Sequence, residues 1–434
     1  MSAKVCLVWF GSYYPGQGYT PLYEISQSLA ARGWETHVIT CRRPGETQQE
    51  SVHGVHVHRI YTGHSAVRFV NPAFFARAIP ILRHEPFELV HVFNVLGASV
   101  LPRFVRTVGR DGRPTRWVLD IQTGPFLLPY RCVQRGLAAL IRAESRCFDA
   151  VLAISEEVAD FIFGGERARA VAGYSRPGVR LERFACSLLP EERLQLRRHL
   201  GLDPEKVVFV YSGVLEKRRR PEDLVYAFAA AAASEPDLQL LFVGTGSRQA
   251  ELERLVRRLG LQKQIVFAGL VAYADVPRYL AVADVALSYI PIHPIGHNLQ
   301  PFLKTGEYLA CGLPVICTDT PGHRRWIRNG YNGVLCADGP ESIARAMVQL
   351  ARAPELRARL RQGALDSALA WDWERILEQE VLPVYHTVLG DLPIFWAVKG
   401  GGLDGAARST DPEAGQCELY PRAEPLHQDR RGHP

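Results

Sequence analysis

The sequence predicts an α/β protein built from two doubly wound, Rossmann-like domains. Three observations predict it. The chain has 434 residues, too many for one ordinary hydrophobic core. Short apolar runs alternate with helical patterns in two separate series, the signature of parallel sheets covered by helices on both faces. The alternation lapses between Gly178 and Pro204, where Arg and Glu dominate.

The first series begins with a buried strand at 5–10, then a glycine-rich turn at 11–18 and a helix at 21–32 closed by Gly33. Strands follow at 36–40, 89–93, 117–121 and 150–154. The second series has strands at 207–211, 238–243, 265–268, 285–289 and 314–317, with a helix at 221–233 that carries Pro in its first turn. Helical patterns fill 340–370, and 371–389 reads as one long final helix. The expected boundaries are a first domain at 1–180, a linker at 181–204 with an exposed helix from Pro190, a second domain at 205–370, a terminal helix within 371–395, and a disordered tail at 396–434.

Composition narrows the function classes. With 47% hydrophobic and 22% charged residues, the chain is globular rather than disordered, collagen-like or disulfide-stapled. No apolar stretch approaches the roughly 18 residues of a membrane span. The opening residues lack the order of a signal peptide. Nine cysteines without repeated spacing predict reduced thiols, and no His or Cys cluster completes a metal pattern around Cys311 and Cys317. A cytoplasmic protein is expected, with membrane association as an option. The net charge of +6 suits acidic small molecules, a membrane surface or nucleic acid.

In doubly wound sheets ligands sit beyond the carboxyl ends of the strands, and here a cleft between two such domains is expected. The stretch 301–316 places Pro301 at a helix start. The free N–H groups near Phe302, Leu303 and Lys304 would form an anion site, and Lys304 adds a full charge. Glu307 lies one turn further on the same face, placed to accept both hydroxyls of a ribose. The alternative is a solvated Lys304–Glu307 pair. Four basic residues, Lys217 to Arg220, follow the strand that ends at Gly213. An arginine there can grip a phosphate through two hydrogen bonds, or the run can be a solvated charge cluster. Gly244 and Gly246 would let the backbone approach a ligand. Gly16 and Gly18 lack the third glycine of a dinucleotide fingerprint, which argues against an NAD site.

Six segments occur in the order found in retaining glycosyltransferases of family four. They are Phe209-Val-Tyr-Ser-Gly213, Phe242-Val-Gly-Thr-Gly246, Val266-Phe-Ala-Gly269 with Asp275-Val-Pro277, Ala283-Asp-Val285, 301–315, and Asn329-Gly-Tyr-Asn-Gly-Val334. The first half agrees more loosely, through the glycine loop, Glu88-Leu-Val-His91, Ser155 and Arg180-Leu-Glu-Arg-Phe184. The chain resembles this family from about residue 4 to 390. The resemblance implies the GT-B architecture, with the final helix crossing back to the first domain. It implies transfer of a sugar from a UDP- or GDP-linked donor to a glycan, lipid-linked or small-molecule acceptor, with retained anomeric configuration and no metal or other cofactor. It also implies roles. Glu307 would hold the ribose, Arg219 the diphosphate, and Phe267, Ala268, Gly269 and Leu270 the base. Phe302, Leu303 and Lys304 would meet the distal phosphate. Gly16 and Gly18 would close over the phosphates, beside the strand-end glycines Gly213, Gly244 and Gly246.

The sequence departs from the family in three places. A second glutamate, which often contacts the donor sugar, is Leu299 here, leaving His293, His297, Asn298 and Gln300 as the polar residues nearby. The basic residue usual after the strand glycine is Val214, and the glutamate usual after the Gly-Gly turn is Arg325. These departures admit two alternatives: a non-catalytic binder of nucleotide-sugar or glycan, and a nucleotide-sugar epimerase or hydrolase. In the helix around 131–146, Arg131, Arg135, Arg142 and Arg146 share one face, opposite Val133, Leu137, Leu140 and Ile141. It reads as a surface helix with a wet basic side, or as a face for anionic lipid or a phosphorylated acceptor. Nucleic acid is not an expected partner.

Overall fold

The computed structural model describes residues 3–11, 13, 21–61, 72–124, 130–166, 170–185, 188–292 and 302–390. The first half forms an eight-stranded sheet from β1 (Lys4–Val8), β2 (Glu35–Cys41), β3 (Gln49–Val52), β4 (Val55–Ile60), β5 (Leu89–Phe93), β6 (Arg116–Ile121), β7 (Ala150–Ala153) and β8 (Gly173–Tyr174). Their order is β3-β4-β2-β1-β5-β6-β7-β8. The second half forms a six-stranded sheet from β9 (Val207–Ser212), β10 (Leu238–Val243), β11 (Ile265–Gly269), β12 (Val285–Ser288), β13 (Val315–Thr318) and β14 (Gly333–Cys336), in the order β11-β10-β9-β12-β13-β14. Strand order reverses between β1 and β5 in one sheet and between β9 and β12 in the other, so each has a switch-point crevice.

Central strands such as β1, β5 and β10 are buried along their whole length. Helices cover both faces, which is why these strands read as continuous apolar runs. The antiparallel β3–β4 hairpin departs from the sequence reading, which placed no strand there. Its outer strand is polar and mostly exposed. The hairpin is set by a two-residue turn, His53 and Gly54, both at positive φ (49° and 81°). The short strands β8 and β14 were likewise not expected.

The segment 181–204 is more ordered than a plain linker. It contains the short helix Leu181–Phe184 and the helix Pro190–His199. The latter is not a freely exposed helix, because Arg197 is 2% exposed. Arg193 and Arg197 both clasp Asp284, at 2.7 and 2.8 Å, and fasten this helix to the second sheet.

The terminal segment is not one uniform helix. A 3-10 turn at Leu369–Trp371 leads to an α-turn at Trp373–Ile376, a π-helical stretch at Leu377–Val381 and an α-helix at Leu382–Leu389. Pro383 supplies the reason: it has no N–H to donate to the preceding turn, and a widened turn accommodates the gap. Val179 and the strand-like Trp371–Trp373 exchange two backbone hydrogen bonds, at 2.8 and 3.0 Å. Beyond them the segment lies on the first sheet. Glu374 accepts from Ser28 at 2.6 Å, the Tyr385 hydroxyl meets His91 at 2.6 Å, and Arg113 donates to the Leu389 carbonyl at 2.8 Å. One apolar cluster therefore runs through both halves, with Trp373 and Tyr385 fully buried in it. The cysteines of the described residues are free thiols.

Candidate functional site

The helix Leu303–Ala310 sits under the carboxyl end of β9. The Tyr308 hydroxyl accepts from the Ser212 N–H at 2.7 Å and fixes the helix to the strand end. Gly306 permits the close approach: a Cβ there would stand 2.3 Å from the Trp326 ring and 2.7 Å from Val179. Five successive residues, Thr305 to Leu309, are buried.

Lys304 leaves the first turn of this helix and lies over the Tyr211 ring, its Nζ 4.0 Å from the centroid. That nitrogen is buried with no hydrogen-bond partner among the described residues. Burial, and then the charge of Arg219, hold its pKa well below the free-lysine value. Of the four basic residues after β9, only Arg219 is directed this way. Lys217 is exposed. Arg218 pairs with Glu216 at 3.2 Å, and Arg220 turns to Asp223 at 2.8 Å. Arg220 takes a left-handed backbone (φ 44°) to do so. The Nε of Arg219, 3.5 Å from Glu216, is buried without a hydrogen bond.

Glu307 lies one turn further along the same helix. It is buried, which removes the solvated-pair reading, and no hydrogen bond joins it to Lys304. Its Oε1 instead accepts from the Tyr273 hydroxyl at 2.8 Å. Burial raises its pKa to about 7, against the opposing effects of Tyr273, Lys304 and Arg183. The i, i+3 spacing puts Lys304 and Glu307 on one helix face, but the aromatic ring at the end of β9 draws the lysine away.

The glycines serve loop packing as well as access. Gly213 and Gly244 have φ of 141° and 128°. A Cβ on Gly244 would stand 2.2 Å from the Gly213 carbonyl, and one on Gly246 would stand 2.3 Å from the Leu215 carbonyl. At Gly244 and Gly246 one loop therefore packs directly against another, which a side chain would prevent. Phe267 stacks on Phe242 with centroids 5.1 Å apart. Ala268 and Gly269 are half-buried, and Leu270 is 79% exposed. Phe302 packs on the His323 ring at 5.2 Å, with Leu303 half-buried beside it. Beneath them Ser288 joins Thr305 at 2.8 Å and His323 at 3.0 Å. Burial drives the His323 pKa down to about 3, so the ring is neutral. Gly16, Gly18, His293, His297, Asn298, Leu299 and Gln300 lie outside the described residues, as does the tail.

The sequence profile of the glycosyl transferases group 1 matches residues 192–366, and that of the glycosyl transferase 4-like domain matches residues 20–173. Together they take in most of the chain. EpsD of Bacillus subtilis is 26% identical over 370 residues, covering 82% of this chain and 90% of its own. N-acetyl-alpha-D-glucosaminyl L-malate synthase of Bacillus anthracis is 23% identical over 389 residues, covering 87% and 95%. The chain belongs to the group 1 glycosyltransferases. Its fold is GT-B. Anabaena HepE, solved with UDP-glucose, superposes with a TM-score of 0.67 at 19% identity, over 89% of this chain and 100% of that one.

Two further features of this glycosyltransferase involve its first half: the contact made by Arg325 and the helix Arg131–Ser145. Arg325 reaches across to Glu157 in the first half, with contacts of 2.8 to 3.1 Å. The arginine is thus paired with an acid on the facing domain. In the helix Arg131–Ser145 the buried stripe is Gln134, Ala138, Ile141 and Ser145, one position round from the stripe the spacing suggested. Val133 and Leu140 are consequently 43% and 44% exposed, near exposed Arg131 and Arg135, while Arg142 is half-buried. Glu144, also buried, accepts from the Gly97 N–H at 2.7 Å on the same side of the helix. Among the described residues, no helix is long and apolar enough to cross a membrane. No group of three metal-ligating side chains occurs among them either.

The sequence missed Tyr211 and Tyr273 as site residues. Tyr211 was visible only as part of a motif, and nothing in the local pattern around Tyr273 marks it.

Proposed function

We propose that this enzyme transfers a hexose from a UDP- or GDP-linked donor to a glycan, lipid-linked or small-molecule acceptor, with retention of configuration and without a resident metal. One observation carries the reading: a buried, unpartnered Lys304 amine beside Arg219 at the mouth of the helix Leu303–Ala310. A buried ammonium without a partner is unfavourable. It makes sense in a site built to receive an anion, here the diphosphate. As the bond from the anomeric carbon to the diphosphate oxygen breaks, its electron pair moves onto the diphosphate, while an acceptor hydroxyl oxygen bonds the anomeric carbon and gives its proton to the departing diphosphate. Lys304, Arg219 and the helix N–H groups stabilise that charge. Glu307, one turn below, would hold the ribose hydroxyls, with the base near Phe267 to Leu270. The UDP-glucose in HepE makes uridine nucleotides the first to try.

The acceptor side belongs to the first half. The exposed Tyr130, Val133 and Leu140 among arginines favour a face that meets anionic lipid. The direct test is a panel of nucleotide-sugars screened by thermal shift, followed by nucleotide release with and without lipid extract. A donor at a hundred times its dissociation constant should add about 2.7 kcal/mol. Stabilisation with lipid-dependent release supports the reading. Stabilisation without release in any extract would favour the non-catalytic binder, and no stabilisation by any donor would refute both.

A further inference from the structure

Tyr273 opens the 3-10 turn Tyr273–Asp275 that follows β11. Its ring is held by the segment that joins the two domains. Phe184 meets it edge-on with centroids 5.8 Å apart, and the Arg183 guanidinium lies 5.4 Å from its centroid. Arg183 is in turn 3.8 Å from Glu24 of the first domain, which Arg180 grips at 2.6 Å. The hydroxyl of a ring fixed in this way points at Glu307 Oε1, 2.8 Å away.

Resting on the reading that Glu307 receives the ribose, we propose that Tyr273 is a positioning residue of the donor site. Its hydroxyl fixes the orientation of the Glu307 carboxyl and holds it in the charged form that can accept from ribose. A carboxylate offers about four lone-pair sites. One bond from tyrosine therefore orients the group and leaves room for the sugar.

The need for such a donor follows from the surroundings. Burial favours the neutral acid, and the carboxyl titrates near 7. Three groups oppose this among the described residues: Tyr273 from the turn after β11, Lys304 from the same helix as Glu307, and Arg183 from the joining segment. Lys304 is itself pushed toward neutrality, and Arg183 acts through space, so Tyr273 makes the direct contact. Burial and the Glu307 charge raise the tyrosine pKa far above its ordinary value, so its proton stays in place as a fixed donor. A hydrogen bond given to the charged form of an acid favours that form.

Tyr273→Phe keeps the packed ring and removes only the hydroxyl. In the ligand-free protein, infrared difference titration against a Glu307→Gln baseline follows this one carboxyl. The Phe variant should raise its midpoint by about one pH unit. UDP and GDP, titrated separately, should then bind the variant about fivefold more weakly than wild type at pH 7, as that shift requires. The ratio should close toward one by pH 9, where the carboxylate is restored. An unmoved midpoint, or a binding deficit that does not change with pH, would overturn the proposal and leave Tyr273 as packing. The infrared titration needs no nucleotide, so it decides the point even if neither nucleotide binds. If Glu307→Gln binds nucleotide as tightly as wild type, the donor reading itself fails, whatever Tyr273→Phe does.

Discussion

Replacing Lys304 with Met should move stability and ligand affinity in opposite directions. Met matches the length of the lysine stem and removes the charge. In the free protein the amine is buried without a hydrogen bond, and desolvation of such a charge costs several kcal/mol. The Tyr211 ring, 4.0 Å away, offsets about 2 kcal/mol of this. The net penalty left for the native state is on the order of 1–3 kcal/mol. Lys304→Met should relieve it, raising the melting temperature by about 2–4 °C per kcal/mol for a domain of this size. The pH dependence fixes the sign. The folded pKa lies below the free value of 10.5, so between the two the unfolded chain holds a proton that the folded chain has lost. That component of stability rises with pH through this window and vanishes in the mutant. Nucleoside diphosphate binding should weaken roughly 10- to 150-fold, the worth of a charge-assisted contact. Calorimetric melting of the free proteins and isothermal titration with UDP and GDP measure both effects. A mutant less stable than wild type would show that Lys304 is a structural cap on Tyr211. Unchanged nucleotide affinity would remove the diphosphate from this site.

Arg219→Ala should weaken binding of nucleoside diphosphate by on the order of 2 kcal/mol while leaving nucleoside binding nearly intact; equal losses for both would assign the phosphate to another residue. Glu307→Gln should lower donor affinity roughly 30- to 1000-fold, and should barely discriminate a 2′,3′-dideoxy nucleotide from the normal one. The same substitution should change stability against pH. The Glu307 pKa is raised from 4.5 to about 7, so the folded chain keeps a proton the unfolded chain has lost, and its contribution is lost as pH rises through 7. Denaturant melts at pH 5 and pH 8 should show a smaller pH difference in the mutant. On the first domain, Val133→Ser with Arg135→Glu should reduce binding to anionic vesicles and spare donor hydrolysis; unchanged vesicle binding would mark this helix as an ordinary wet surface.

The order of elements was legible because a strand buried on both faces must be apolar throughout. The runs 89–93 and 238–243 coincide with β5 and β10 residue for residue. The helix holding Lys304 and Glu307 was legible too, through its glycine stop and the motif around it. The β3–β4 hairpin was not, because an edge pair exposed to solvent needs no apolar alternation. The terminal segment 371–389 read as a continuous helix because its pattern is helical, yet Pro383 forces a π turn that only the assembled chain displays.

The site divides in the same way. The sequence by itself determined the succession of strands and helices, and that alternation implied a parallel sheet whose carboxyl edge would carry the site. It also put Lys304 and Glu307 on one helical face. The tertiary structure alone decided where those side chains go. Lys304 settles on the Tyr211 ring, Glu307 accepts from Tyr273, and Arg219 is the member of its basic run that turns toward the lysine. These partners come from β9, the loop that follows it and the turn after β11. Local spacing sets which side chains can be neighbours on one element. The direction a buried charge takes depends on which donor, acceptor or ring the facing element brings within reach.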